Sequence, residues 1–376
     1  MTGERNCGLD LYRLLAMLMI TVLHVNFFYL KLPFDARPSV YYTGWFAEAV
    51  CYCGANCFAL LTGYLISSGR MGYDKKWFQK LFDFWGKTVL FCVVLYFLLI
   101  LIFPGIKFET ELFKSFFYIR DLWYAGAYIG LFLFMPLLSG IVSRFSVREQ
   151  ILFFVVTFFV FSFLYPFKYT SPFYCFSNGY SAIWLMVCFC WGQVLQTLAP
   201  RILQWKHHTA LLIIGAVIGA VFPFLFFYGY SIPAIARAAS HFSLHKNSFI
   251  DYLSPFCVLE AVCLLLLFSK IRIENPKVQK VIAFLSVYSF GIYLFQCHPV
   301  IWDEFIVQKT QVLRSGSQIV WRFAAVTLGL FAAGVLSYFL VSKFYQLIRF
   351  SKLGEVCYWL LEKLLFRSVP DNDCKK

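Results

Sequence analysis

An arginine and a histidine eleven residues apart on one apolar helix, Arg13 and His24, are the residues of this 376-residue chain best suited to chemistry. At about 100° per residue the separation comes to about 1100°, roughly 20° from the same face, with a rise of about 16 Å. The two side chains therefore share one stripe. Asp10 lies one turn before Arg13 on nearly that stripe, where a carboxylate can pair with and orient the guanidinium. Histidine suits general-base work because its pKa lies near neutrality and its ring can reach a hydroxyl directly. A charge pair near one membrane surface and an imidazole deeper in suit acyl transfer across a bilayer. A coenzyme A donor would hold its phosphates near Arg13 while its extended arm carries the thioester toward His24. The plainer alternative is a histidine bonded to a carbonyl of a neighbouring helix; the aligned Arg13 favours function.

Charges inside apolar spans are costly and face a cavity or a partner. Besides the three above, they are Glu48, Asp83, Lys87, Glu260 and Arg322. Glu48 sits near Trp45 in the second apolar segment and is a candidate to orient the His24 imidazole or raise its basicity. A structural ion pair with Arg13 or a neighbouring helix explains it equally well. His298 precedes Pro299 at the end of a later segment; it is a second site histidine or a helix-end residue. His241 and His245 have i, i+4 spacing but no HExxH glutamate accompanies them, which favours an ordinary loop. The same stretch, from Gly229 to Ile250, carries Arg237 and Lys246 and is the candidate external loop for an anionic or polyhydroxylated acceptor. Neither GxSxG nor a P-loop pattern is present.

The elements that must position these groups belong to a membrane. Hydrophobic residues make up 61% of the chain, aromatic residues 21% and charged residues only 14%, against about 25% charged in soluble domains. Apolar runs of spanning length fall near 9–30, 43–67, 81–104, 122–143, 149–167, 179–199, 209–229, 250–269, 281–302 and 317–345. They predict an all-α polytopic membrane protein of about ten transmembrane helices. Twenty lysines and arginines fall on one side of this topology and ten on the other, so the positive-inside rule puts both termini in the cytoplasm. The net charge of +14 is spread over short loops, not gathered into one patch, which argues against nucleic acid. Cytoplasmic Arg70, Lys75, Lys76, Arg144 and Arg148 are further candidates for donor phosphates, although topology alone accounts for them. The segment 9–30 is too long for a cleaved signal, carries Asp10 and Arg13, and lacks an A-x-A site. Most of the thirteen cysteines lie inside apolar runs and read as small packing residues. Cys51, Cys53 and Cys57 lack the CxxC spacing of a zinc site, so no metal is expected. Residues 349–376 read as a basic amphipathic tail with Trp359, Leu360, Leu364 and Phe366 at the membrane surface.

Over most of its length the chain resembles the family 3 acyltransferases, membrane proteins that O-acylate sugars and other surface molecules. The most specific match is the first-helix pattern, an Arg and a His with ten residues between them, here Arg13 through His24. A second is Asn56-Cys57-Phe58-Ala59-Leu60-Leu61-Thr62-Gly63-Tyr64-Leu65-Ile66, where the family commonly has Ser-Gly and Thr62 keeps the hydroxyl. Further matches are Leu122-Trp123-Tyr124 with Tyr128 and Pro136, then Ser289-Phe290-Gly291-Ile292-Tyr293-Leu294 with His298-Pro299. The resemblance implies a transmembrane acyltransferase domain over residues 1–348, with the cytoplasmic tail at 349–376. It implies His24 as catalytic and Arg13 as essential. Asn56, Thr62, Tyr64, Trp123, Tyr128, Arg237, Tyr293 and His298 are then candidates to contact substrate. The implied reaction moves an acetyl group from cytoplasmic acetyl-CoA to a hydroxyl of a cell-surface polysaccharide or its lipid-linked precursor, at a bacterial cytoplasmic membrane. Membrane lipids and the glycan acceptor are the expected partners, and a homo-oligomer is compatible with the sequence. The rival from another class is a transporter or flippase of a lipid-linked sugar or small metabolite, since intramembrane charges also mark transport pathways. It is disfavoured by the absence of two related halves and by the concentration of polar residues in the first helix.

Overall fold

Helix starts follow the capping residues in the sequence. In the computed structural model, which describes residues 5–27, 38–66, 71–167, 175–308 and 319–365, Asn6 caps α1 (Cys7–Asn26) by accepting from the backbone of Gly8 and Leu9. Asp74 caps α4 (Lys75–Ile102) by accepting from Trp77 N at 2.7 Å. Ser146 and Glu149 form a reciprocal capping box on α7 (Val147–Phe158), and Asn275 caps α12 (Pro276–Tyr288). Each cap satisfies backbone donors that the first turn leaves open.

The other helices are α2 (Pro38–Cys51), α3 (Gly54–Leu65), α5 (Thr110–Tyr118), α6 (Trp123–Arg144), α8 (Ala182–Ile202), α9 (His208–Gly229), α10 (Pro233–His241), α11 (Pro255–Ser269), α13 (Phe290–Gln296), α14 (Ile319–Leu347) and α15 (Ser351–Leu365). No strand occurs among the described residues. Eight helical segments are long and apolar enough to cross a bilayer, and the α12–α13 pair, bent by 42°, makes a ninth if it is one span. The remaining apolar run corresponds to α11, which has 15 residues. The second run, expected as one helix over 43–67, is interrupted at Tyr52–Cys53 between α2 and α3. The supposed external loop from Gly229 to Ile250 contains α10. Loop cations Lys31, Arg37, Arg70, Lys168, Lys309 and Arg314, and the tail beyond Leu365 with Phe366, lie outside the described residues.

α1 is the central element, packed against α2, α3, α11, α12, α13 and α14. In α1, the α2–α3 pair and α8, 61% of the apolar window is buried, against 17% in the α7 segment and 22% in α9 and α14. The outer helices expose Leu152, Val155, Ile213, Val217, Leu336 and Leu340, the surface that hydrocarbon would cover. α3 and α8 approach so closely that a Cβ on Gly63 would strike the Phe189 carbonyl, and one on Gly192 the Leu60 carbonyl. Small residues permit this approach. A buried polar bond fixes the same contact, since Asn56 Oδ1 accepts from Trp184 Nε1 at 2.9 Å and Asn56 Nδ2 donates to the Tyr252 carbonyl at 2.7 Å. α15 packs on α4 through contacts such as Tyr358 against Phe78 and leaves Leu353, Val356, Trp359, Leu360 and Leu364 exposed.

Candidate active site

Residues 13, 17, 20 and 24 recur at helical spacing along α1, and the fold gives the two ends of that stripe different surroundings. At the N-terminal end Asp10, 5% exposed, gathers a polar cluster. Its Oδ2 accepts from Arg5 Nε at 2.5 Å, and its Oδ1 accepts from Arg5 Nη2 at 3.1 Å, Arg13 Nη1 at 3.2 Å and Ser286 Oγ at 2.7 Å. Arg13 Nη1 also donates to Ser286 Oγ at 2.8 Å, and Arg5 Nη2 to the Ala283 carbonyl at 3.2 Å. α12 thus clamps the start of α1 through Ser286 and Ala283. Two guanidinium groups share one carboxylate, which leaves this end net positive. The Asp10 partnership raises the pKa of Arg5 further.

At the other end Met17, Ile20, Leu23 and His24 form one wall of a cavity of about 500 Å³. α2 and α3 contribute Glu48, Ala55 and Phe58, with Tyr52 from the break between them. Asp121, Trp123 and Tyr124 come from the start of α6 and the turn before it, and Tyr180 and Tyr252 from connecting segments. Phe290, Tyr293, Cys297, Pro299, Trp302 and Asp303 complete the lining from α13 onward. The His24 ring stands edge-on to Trp302, with centroids 5.3 Å apart and planes at 89°. Its Nδ1 lies 3.8 Å from Cys297 Sγ, and the buried Gln296 is a further polar neighbour. Glu48 shares the cavity with His24, but its carboxylate accepts from Asn26 Nδ2 at 2.9 Å. Asn26 also donates to the Gly44 carbonyl at 2.7 Å, which ties the end of α1 to α2.

Aromatic faces make most of the remaining wall. Trp123 meets Tyr180 at 4.5 Å, Tyr180 meets Tyr252 at 5.1 Å, and Tyr252 meets Tyr52 at 4.7 Å. The Tyr293 hydroxyl accepts from the backbone of Tyr124 at 3.0 Å, holding α13 to the start of α6. Burial, then the carboxylates of Glu304 and Asp121, push Asp303 above the usual carboxylate range.

The structure divides the sequence candidates into three groups. His24, Glu48, Trp123 and Tyr293 line the cavity together. Arg13 and Asp10 stand one or two turns below it along α1. Tyr128 stacks on Tyr124 at 6.3 Å, engages the Thr62 side chain and lies within range of the Arg13 charge, so Thr62 and Tyr128 fall between the two ends. The rest lie elsewhere. Asn56 spends its amide on the α3–α8 contact, and Tyr64 packs against the core on the same helix. Arg237 is exposed on α10. His298 is fully buried, with Nε2 3.3 Å from the Cys92 carbonyl, its ring 5.2 Å from Phe116, and Nδ1 without a hydrogen-bond partner. Asp121 and Asp303, which were not among the sequence candidates, are lining residues. The only sequence sign of them was a nearby Trp at the edge of a span, Trp123 two residues after Asp121 and Trp302 next to Asp303.

A multi-pass helical membrane protein with a histidine in a cavity between its helices and an arginine on the same helix is a restricted class. Within it this chain belongs to the family of the acyltransferase domain, whose model matches residues 6–342, and it is a membrane acyltransferase. The match takes in every cavity residue and ends before α15. No curated protein and no solved structure matches the chain.

Proposed function

We propose that the protein transfers an acetyl group from cytoplasmic acetyl-CoA to a hydroxyl of a surface polysaccharide or its lipid-linked precursor, in a bacterial cytoplasmic membrane with both termini inside. The observation that carries this reading is the α1 stripe, which runs from a net-positive cluster at Arg5, Arg13 and Asp10 to His24 in a cavity able to hold a sugar-sized group. Cations at one end favour the donor's phosphates. The rise of about 16 Å along the helix is within reach of an extended thioester arm.

In this reading the acceptor enters the aromatic cavity and places a hydroxyl against the His24 imidazole. The hydroxyl oxygen attacks the thioester carbonyl as its proton passes to His24. The tetrahedral intermediate then collapses with loss of the coenzyme A thiolate, which takes the proton from the imidazolium. An ester and a free thiol result, and the histidine returns to its starting state. Glu48 offsets the transient imidazolium charge from α2, with Asn26 fixing its position. Arg13 binds donor, and Asp10 and Ser286 hold Arg13 in place.

Mass spectrometry of surface glycans from cells expressing wild type, His24→Ala and Arg13→Ala, at matched membrane abundance, tests the reading. Wild type is expected to add ester-linked acyl groups of acetyl mass, and His24→Ala to lose them by about 10²-fold or more. Unchanged esters in His24→Ala would remove the catalytic role of that residue. If wild type adds none in its native host, transport of a lipid-linked sugar becomes the better account.

A further inference from the structure

Among the described residues, the charged side chains that line the cavity are of one sign. Glu48, Asp121 and Asp303 line it, and among the described residues no lysine or arginine does. Among the described residues Arg120 pairs with one of these carboxylates, its Nε 3.2 Å from Asp121 Oδ1, but its side chain is 65% exposed, so water screens much of that pairing. Glu304 adds a fourth carboxylate beside Asp303. Lys246 and Arg237, the cations that sequence suggests for an anionic acceptor, are not part of the lining. Lys246 instead stands 5.8 Å from the Phe227 ring.

A second observation points to a ligand with hydroxyl groups. Tyr124 lines the cavity, is 6% exposed, and its hydroxyl is buried without a hydrogen-bond partner. A buried polar atom of this kind calls for a partner, and bound substrate supplies one. The aromatic faces around it suit the C–H face of a sugar ring, while carboxylates accept hydrogen bonds from its hydroxyls. A carboxylate or phosphate on that ring would instead stand among like charges in surroundings poorer in water than bulk.

We infer that this cavity selects an acceptor sugar without an anionic group and rejects uronic-acid or phosphate-bearing sugars by charge. The inference rests on the acyl-transfer reading and narrows its substrate. It also divides the two substrates between the ends of α1, because the donor's phosphates are repelled from the end that receives the acceptor. Specificity of this kind comes from an unfavourable term against the wrong ligand as well as a favourable term for the right one.

The test uses full-length protein in lipid nanodiscs with acetyl-CoA and an equimolar pair of oligosaccharides, one neutral and one identical except for oxidation of a primary alcohol to a uronate. Mass spectrometry counts ester on each. One extra like charge within the cavity corresponds to a preference of about tenfold or more for the neutral acceptor. The double variant Asp121→Asn/Asp303→Asn is expected to bring the ratio toward unity. Equal or greater use of the uronate by wild type overturns the inference, as does a ratio that the double variant leaves unchanged. Trp123 and Trp302 allow fluorescence titration of both sugars without turnover. If neither sugar is esterified, acyl transfer to sugars is wrong; tighter binding of the neutral sugar then still supports the charge selection, and equal binding removes it as well.

Discussion

Replacing Asp10 by asparagine separates donor binding from catalysis. The carboxylate accepts four bonds, two from Arg5, one from Arg13 at 3.2 Å and one from Ser286 at 2.7 Å. An amide of the same shape keeps one acceptor oxygen and loses the charge, so the Arg13 guanidinium retains Ser286 as its other anchor. A hydrogen bond to a charged group is worth about 1.5–3 kcal/mol net. The Arg13 side chain is 28% exposed while that of Asp10 is 7% exposed, which places the loss at the lower end of that range. About 1.4 kcal/mol is a factor of ten. Asp10→Asn is therefore expected to raise the KM for acetyl-CoA by about tenfold, and to change kcat by less than about threefold because His24 stands about 21 Å further along the helix. The assay is thiol release by protein in nanodiscs at saturating acceptor, with acetyl-CoA varied. Ser286→Ala removes a neutral partner and is expected to cause a smaller rise, about threefold. A fall in kcat with unchanged donor KM would refute the assignment, since it would show that the cluster acts on the chemistry at His24 and not on the donor.

Two further outcomes follow from groups that do not touch the proposed chemistry. Asn56→Ala leaves the Trp184 Nε1 donor and the Tyr252 carbonyl without their partners inside the bundle; thermal unfolding in detergent is expected to show a loss of about 2–4 kcal/mol, with kcat/KM of the folded fraction nearly unchanged. Burial pushes Asp251, in the segment that connects α10 to α11, from 3.8 up to about 7, against the opposing effect of its bonds from the Leu253 backbone and Tyr165 hydroxyl. The folded protein then holds this proton over an interval in which the unfolded chain has released it, so stability falls as pH rises from about 4 to 7 and levels off above. Unfolding temperatures measured across that range should converge at low pH for wild type and Asp251→Asn and separate above neutrality, with the variant the more stable; identical profiles would show that Asp251 ionises normally.

The α1 stripe was legible in sequence because a helix is periodic: two charges and an imidazole at i, i+3 and i+14 fall on one face whatever packs around them. Helix positions were legible for a similar reason, since spanning length and capping residues are local. The walls of the cavity were not. Tyr52 stands at a helix break, Tyr180 and Tyr252 in connections, and Asp303 beyond a bent pair, and no local pattern says that these points converge. Asn56 illustrates the converse. The resemblance made it a candidate substrate contact, yet the four hydrogen-bonding positions of an asparagine make it equally fit to pin three pieces of chain together. In the structure it does the latter, with bonds to Trp184, Tyr252 and Cys257.

The electrostatic division along α1 also bears on why the acyl group needs a membrane-embedded enzyme at all. In the proposed reaction Arg5 and Arg13 would attract a polyanionic donor to one end, whereas Glu48, Asp121 and Asp303 would make the other end unfavourable for its phosphates. Between them on the stripe stand the buried, apolar Met17 and Ile20, which line the cavity; an uncharged thioester arm led along this face would meet no penalty there, whereas a phosphate would lose its hydration. On the acyl-transfer proposal, charge and hydrophobicity together would let the reactive end of the donor advance to His24 and keep the rest behind. Placing a cation on this path tests that division directly. Met17→Lys retains the length of the side chain but puts an ammonium where only the uncharged arm should pass. If the stripe guides the arm, kcat should fall by well over tenfold while Arg13-dependent donor affinity persists; a variant that turns over normally would mean that the thioester reaches His24 by another route.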